Sequence, residues 1–458
     1  MKTGAEDLFL EDGSKIAVIG AGPAGAFFAD FAMHRARETG LNLSITLFDG
    51  KDFTQSGPKG CNLCAGVISE TLIDRMCSIG IVLPEEKIQR KIEGYYLRLK
   101  TGDFLMKHPL SEKQITTVFR GNGPRLSSQE KNVSFDDYLL KHVRQKGLKV
   151  FNRPVKQIQL PLNPREPVRV IYGIGKEESI FEADLVVCAF GLSSNMMKMM
   201  QNLNFGYRPP RTLSAMNVEI FLSKDFIQEH FGNNIYVYSW STARGMRVAN
   251  IIPKKDYITV NLIGKRDMKK EDLLEFLKLF IVHKKLPDNW RWSDRLCRCY
   301  PKVAVTSAKK PFTHRLVIIG DASCSRYYKN GIESAFVTAQ IAADTAINYG
   351  VSESAFKKGY FRCVKKIIAR DNFYGRVLFK INDLVSGSTF LSKIMLNVAA
   401  DEVKHGKNTH MRSVLWNMYT GNIPYRTILL KFLNPVLQWK LTIGTIKLIF
   451  VNIFCRGS

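Results

Sequence analysis

Six residues constrain this chain more than any others. Gly20-Ala21-Gly22-Pro23-Ala24-Gly25 follows directly on an apolar run, Lys15 to Gly20, and opens a stretch of helix formers, Pro23 to Arg37. A second short apolar run, Leu43 to Phe48, ends at Asp49. This is the pattern of a β-α-β unit with buried parallel strands. At such a junction the first glycine permits a tight turn and the second lets backbone approach a pyrophosphate. The third lets the helix pack close to the strand. The helix start offers unpaired N–H groups and the positive end of its dipole to phosphate. Asp49 ends the second strand where a carboxylate can bind a ribose hydroxyl. A dinucleotide site is therefore expected on Gly20, Gly22, Ala24, Gly25 and Asp49; the bland alternative is a turn that serves only the fold.

The rest of the chain predicts an α/β fold assembled from discontinuous pieces. A hairpin is expected across Ile92 to Val118, turning at Thr101-Gly102-Asp103. A helix is expected over Phe135 to Lys146, capped by Ser134 and closed by Gly147. Val168 to Ile174 and Ser179 to Phe181 suggest a second hairpin, and Asp184 to Ala189 another buried strand. Extended segments follow at Ile235 to Trp240, Met246 to Ile252 and Tyr257 to Ile263, with a helix at Glu271 to His283. Leu316 to Gly320 returns to the buried-strand pattern, and Ile332 to Tyr349 is an Ala-rich helix. The expected division is 1–204 and 311–350 for the nucleotide-binding domain, 205–310 for an inserted antiparallel-sheet substrate region, and 351–458 for a helical C-terminal region.

Charge narrows the partners. The 458 residues carry 67 Lys+Arg against 41 Asp+Glu, a net +26. Such a surface attracts nucleic acid, anionic membranes or anionic substrates. No nucleic-acid-binding signature accompanies it, so no nucleic acid is expected. The nine cysteines are odd in number and scattered, which predicts a reducing compartment. The N-terminus has no apolar signal region, and no uncharged run is long enough to span a bilayer. Residues 351–458 hold 17 Lys+Arg against 5 Asp+Glu. Within them Tyr425 to Cys455 is mostly apolar, interrupted by Arg426, Lys431, Lys440 and Lys447 and broken at Pro435. This segment predicts contact with an anionic membrane surface, and hence a cytoplasmic protein peripheral on the membrane. A pair of core-packing helices is the alternative.

A second motif lies far downstream. Ile319-Gly320-Asp321-Ala322-Ser323 is followed by Gly331-Ile332-Glu333-Ser334-Ala335. A strand end presenting Asp321 suits a ribityl hydroxyl, and the helix start at Gly331 and Ile332 suits charge on a flavin ring. Over roughly residues 15–345 the sequence resembles the FAD-dependent oxidoreductases of the para-hydroxybenzoate hydroxylase fold. The resemblance implies a Rossmann-type FAD domain, with Gly320, Asp321, Gly331 and Ile332 at the cofactor. It also implies an arginine to FAD from the stretch before the Phe135 helix; Arg120 and Arg125 both stand there, and Arg120 is carried forward. Ala183 to Ser194 is similar to the family's third motif, but Phe190 stands where an Asp is usual. NADPH, a reduced ferredoxin and a quinol stay open as electron donors.

Gly57-Pro58-Lys59-Gly60-Cys61-Asn62-Leu63-Cys64-Ala65-Gly66-Val67 looks like the cysteine-glycine loop of geranylgeranyl reductases. Cys64 matches the family cysteine, Cys61 stands three positions before it, and Ala65 replaces the first glycine. Tyr238-Ser239-Trp240 and Ile252-Pro253-Lys254 resemble that family's substrate motif of Tyr, Trp and Phe-Pro, its two parts separated here by extra residues. The resemblance implies a chemical role for Cys64 and substrate contacts from Tyr238, Trp240 and Pro253. Their plain alternatives are a small buried thiol and sheet packing. A metal centre is not expected, since Cys297-x-Cys299 has the wrong spacing to complete a site unless folding brings the pairs together. A Cys61–Cys64 redox disulfide is a further alternative, and Cys455 lacks a prenylation box. The expected activity is FAD-dependent reduction of carbon–carbon double bonds in an isoprenoid lipid or quinone-like substrate, with an electron-donor protein as a candidate partner. The rivals are a flavin monooxygenase or halogenase, and a membrane-associated electron-transfer flavoprotein.

Overall fold

The computed structural model describes residues 8–107, 115–125, 127, 132–239, 245–282, 285–328, 330–405 and 409–454. Trp240, His283 and Cys455 lie outside them. A six-stranded sheet gathers strands from along the first three-quarters of the chain. Its order is Phe312–Thr313, Leu316–Ile318, Leu185–Cys188, Lys15–Ile19, Ser44–Phe48, Lys149–Phe151, parallel except for the first pair. These strands read as unbroken apolar runs because both faces are covered. Ile16, Val18 and Val187 face the helices Pro23–Glu38 and Gly331–Asn348, where Phe27 and Phe31 each meet Phe336 edge-on at 5.0 Å. Ala17, Ile19 and Val186 face a three-stranded antiparallel sheet, Val155–Gln159, Val168–Tyr172 and Ser179–Ala183. The second hairpin thus gains a third strand. The Phe135–Gln145 helix starts as expected, Ser134 accepting from the N–H of Asp137 at 3.1 Å.

A second sheet has seven strands: Cys297–Cys299, Met216–Phe221, Tyr257–Gly264, Met246–Pro253, Asn234–Tyr238, Gly94–Leu99 and Gly102–Lys107. The Gly94–Leu99/Gly102–Lys107 hairpin forms around Thr101, and it joins this sheet by pairing parallel to Asn234–Tyr238. Ile115–Thr117 leaves the expected hairpin and pairs with Val67–Ile68 and Arg90–Ile92. The helix Lys270–Val282 backs one face of the seven-stranded sheet.

The C-terminal helices cover part of the other face. One continuous helical run, Glu353–Ala355 through Asp371–Gly387, contains two π-helical stretches, Phe356–Phe361 and Lys365–Ala369. Thr389–His405, His410–Thr420, Tyr425–Phe432 and Pro435–Phe454 follow. Trp416 meets Tyr95 edge-on at 5.5 Å. Tyr425 is fully buried over Gly375, and its hydroxyl donates to the carbonyl of Tyr327 at 2.6 Å. These helices are part of the core. Among the described residues, no helix is long and apolar enough to cross a membrane.

Candidate functional site

Two close backbone contacts leave no room for a side chain in the glycine motif. Gly20 has φ +100°, and a Cβ on it would lie 2.5 Å from the carbonyl oxygen of Ala189. A Cβ on Gly25 would lie 2.0 Å from the carbonyl oxygen of Gly20. Gly22 differs: its Cβ position is 3.1 Å from Nδ2 of Asn62 and 3.9 Å from both Arg120 and Asp136. Gly22 also caps the Pro23–Glu38 helix with no side-chain bond, so the first-turn N–H groups stay open to a ligand. The carboxylate of Asp49 accepts from the N–H of Ala21 at 2.8 Å and of Lys51 at 2.9 Å. Burial pushes that carboxyl up, against these two bonds.

Arg120 and Asp136 form a buried pair, 2.5 Å between Nε and Oδ1 and 2.9 Å across the second arm. Asn62 donates to the same carboxylate at 2.5 Å. Burial works against the guanidinium's charge, and Asp136 overrides it, holding Arg120 above its ordinary value. Arg125 is exposed, with its backbone against Gly57. Of the two arginines, Arg120 is the one beside the glycine motif.

The downstream motif meets the first. A Cβ on Gly320 would sit 3.2 Å from that of Ala24, and the Gly320 N–H donates to Thr338 at 3.0 Å. Oδ1 of Asp321 is buried without a hydrogen-bond partner, and burial raises the carboxyl. Gly331 stands so that a Cβ would come 3.5 Å from both Asp321 oxygens. It opens its helix behind Asn330, whose φ is +49° and whose side chain does not cap the helix. Ile332 is buried in the core, so only its backbone is offered to a ligand. An orphaned acceptor, a glycine gap beside a buried guanidinium and two uncapped helix starts fit the ribityl and pyrophosphate parts of FAD. Phe190 packs half-buried against the core cluster on the Ala17 and Val186 side of the sheet.

The Cys61–Cys64 loop borders this region. Leu63 has φ +52° and Gly66 φ +77°, the latter with the Val118 carbonyl oxygen 2.0 Å from its Cβ position. Lys51 ties the loop down by donating to the Cys61 carbonyl at 2.7 Å and to Asn62 at 3.0 Å. Both cysteines are free and half-buried; Cys61 accepts from the Leu63 N–H at 3.3 Å and Cys64 from the Gly66 N–H at 3.4 Å. Burial pushes the Cys61 thiol up.

One face of the seven-stranded sheet changes character along a single row. Leu97 and Val237 are followed, strand by strand, by Asn250, Asn261, Asn217 and Cys299. Asn250 donates to Asn261 at 3.0 Å and Asn261 to Asn217 at 2.5 Å. The next row holds Thr259, Glu219 and Cys297. Burial raises the Cys299 thiol, and the charges of Cys61 and Glu219 raise it further. Glu219 accepts from Thr259 at 2.8 Å and from Lys254 at 3.0 Å; Lys254 is 1% exposed, with its ammonium 4.1 Å from the Phe119 ring centre. Sequence reasoning missed this cluster. Its signal is polar residues at alternate positions in apolar strands, as in Met216-Asn217-Val218-Glu219-Ile220.

Tyr238, an expected substrate contact, stands apart from that row. It lies on the opposite face, 2% exposed and edge-on to Phe276 at 5.2 Å, because the neighbouring Val237 takes the face packed against the C-terminal helices. Pro253 ends its strand where its carbonyl accepts from Thr117 at 3.1 Å. Trp240 falls outside the described residues. Among those residues no group of three or more His, Cys, Asp or Glu is arranged to hold a metal.

No family model matches the sequence, and no curated protein matches it. Solved structures do match the fold. A geranylgeranyl bacteriochlorophyll reductase-like protein from Thermoplasma acidophilum is 16% identical, with a TM-score of 0.66 over 92% of this chain and 99% of that one. A flavoprotein/dehydrogenase from Cytophaga hutchinsonii is 12% identical, with 0.61 over 96% and 99%. A myxobacterial chondrochloren halogenase, described as FAD-dependent, is 16% identical, with 0.59 over 92% and 96%. The chain therefore has the mixed α/β fold of these flavoproteins, the para-hydroxybenzoate hydroxylase type, over nearly its whole length.

Proposed function

We propose that the chain is an FAD-dependent oxidoreductase that reduces carbon–carbon double bonds of an isoprenoid lipid or quinone-like substrate. The observation that carries the flavin is the meeting of two motifs some 300 residues apart: Gly22 beside the Arg120–Asp136 pair, and Asp321 with an acceptor oxygen left over. Gly22 and the open helix start would receive the pyrophosphate, Arg120 its charge, and Asp321 a ribityl hydroxyl. A flavin held there and reduced by a donor would supply hydride to an alkene carbon. Cys64, on its fixed loop, would place the substrate or give the neighbouring carbon its proton. The asparagine row would meet an oxygen-bearing ring or head, while Leu97 and Val237 beside it are buried under the C-terminal helices. NADPH and a reduced ferredoxin are both candidate donors.

The asparagine and Glu219–Lys254 groups also favour a second reading, a monooxygenase or halogenase acting on a polar ring. One experiment separates them. The protein is reduced anaerobically with dithionite and mixed with prenylated lipid or quinone extract. Return of the oxidised flavin spectrum with a hydrogen-pair mass gain located in the isoprenoid chain, and not in a quinone ring reduced to quinol, supports alkene reduction. A spectrum that stays reduced until oxygen is admitted, with substrate-stimulated oxygen uptake, supports the second reading.

A further inference from the structure

The last acidic residue in the chain is Glu402; eight Lys and Arg and no Asp or Glu follow it. Glu402 itself is fully engaged, accepting from the N–H groups of Met411 and Arg412 and from Lys440. In this segment the helix Pro435–Phe454 is apolar on two sides. Leu437, Gly444 and Leu448 turn inward, a Cβ on Gly444 falling 3.4 Å from Val398 of the Thr389–His405 helix. Val436, Trp439, Ile446 and Phe450 fall on the outer side at spacings of 3, 7 and 4, and are 45%, 66%, 49% and 56% exposed. Leu430 and Leu433, at the end of the preceding helix, extend the stripe at 60% and 54% exposure. Lys431 and Lys447 are exposed beside it. A helix apolar all round is ordinarily buried on all sides, and contiguous exposed apolar residues mark a surface that something covers.

We propose that this face lies on an anionic lipid bilayer, with Trp439, Leu433 and Phe450 at the boundary of headgroups and acyl chains. Lys431 and Lys447 then meet the headgroups. The helix does not qualify as a span, which fits a helix lying along the interface. Charge argues against a second copy as the occupant. Self-pairing would bring two such segments together with no carboxylate beyond Glu402 to answer their cations. The proposal does not rest on the reaction proposed above.

Deleting the segment is a poor test, because Tyr425, Ile428 and Leu437 are fully buried. Point variants avoid this. Full-length protein is sedimented with vesicles of phosphatidylcholine alone or mixed with phosphatidylglycerol. Wild type is expected to pellet with the mixed vesicles and to be released by high salt. L433E/W439E is expected to lose at least tenfold in partitioning while its melting temperature is unchanged. Brominated lipid should quench a tryptophan emission that W439F lacks. Equal partitioning of wild type and L433E/W439E overturns the proposal. So does self-association of wild type without lipid that L433E/W439E abolishes, which assigns the face to a second copy.

Discussion

The carbonyl oxygen of Gly20 occupies the place where a side chain on Gly25 would begin, 2.0 Å from its Cβ position. Both ends of that contact are backbone, so neither can turn aside. Gly25→Ala therefore forces the helix off the strand, and a loss of about 1–3 kcal/mol or more is expected, as for overpacking. Gly22→Ala meets only the end of the Asn62 side chain at 3.1 Å. It is expected to keep its melting temperature and lose flavin, since a methyl group enters the space a pyrophosphate would use. Thermal unfolding and flavin content, read together, separate the two glycines.

Arg120 and Asp136 should behave as a unit. Arg120→Met leaves a carboxylate with no exposure and, among the described residues, Asn62 as its remaining side-chain donor. A loss of about 3–5 kcal/mol in urea unfolding is expected, as for one partner removed from a buried pair. The double variant Arg120→Met/Asp136→Leu should lose less than Arg120→Met alone. Additive losses would show that the two do not depend on each other.

Asp321 predicts opposite effects on stability and on cofactor affinity. Burial holds its carboxyl above the ordinary range, so the folded apoprotein keeps a proton that the unfolded chain has released. Stability then falls as pH rises from the ordinary carboxylate value through the raised one. Asp321→Ala removes that titration. Its apoprotein should melt above wild type near neutrality, with the gap closing on acidification toward about pH 4. The same change removes an acceptor worth about 1.5–3 kcal/mol to a ligand hydroxyl. The flavin dissociation constant should rise roughly 10- to 100-fold.

Cys64→Ala tests the proposed chemistry. Its thiol accepts only a weak 3.4 Å bond from Gly66, so the loop is expected to survive. Flavin content should stay at the wild-type level while alkene turnover falls about tenfold or more, the lower end of what a positioned acid supplies. Turnover at the wild-type rate would make Cys64 a packing residue.

Local pattern explains what the sequence could reveal. The glycine motif and the apolar strands beside it are written in neighbouring residues, and the observed strands lie where those runs predict them. Pairing between distant segments leaves no such mark. Nothing in Gly94–Leu99 announces that it will run beside Asn234–Tyr238, some 140 residues later. Tyr238 shows how fine the margin is: one residue of register gives Val237 the face under the C-terminal helices and sends the tyrosine to the opposite one. Arg120 and Arg125 look alike in sequence, and only the fold brings Asp136 against the first. The Glu219–Lys254 pair was readable in principle from alternation, but its partner Phe119 comes from another domain segment.

The placement of Leu316–Ile318 beside Leu185–Cys188 bears on how the protein is made. As the chain leaves the ribosome, strand Leu185–Cys188 can dock on Lys15–Ile19 early, but its outer edge must wait for some 130 further residues. Throughout that interval a short, wholly apolar strand presents unpaired N–H and carbonyl groups, the template on which chains aggregate. The long wait also slows closure, because distant pairings must overcome a large loop entropy. Overproduction at lower temperature, or with chaperones that shield strand edges, should raise the soluble yield more than any change to the mature surface.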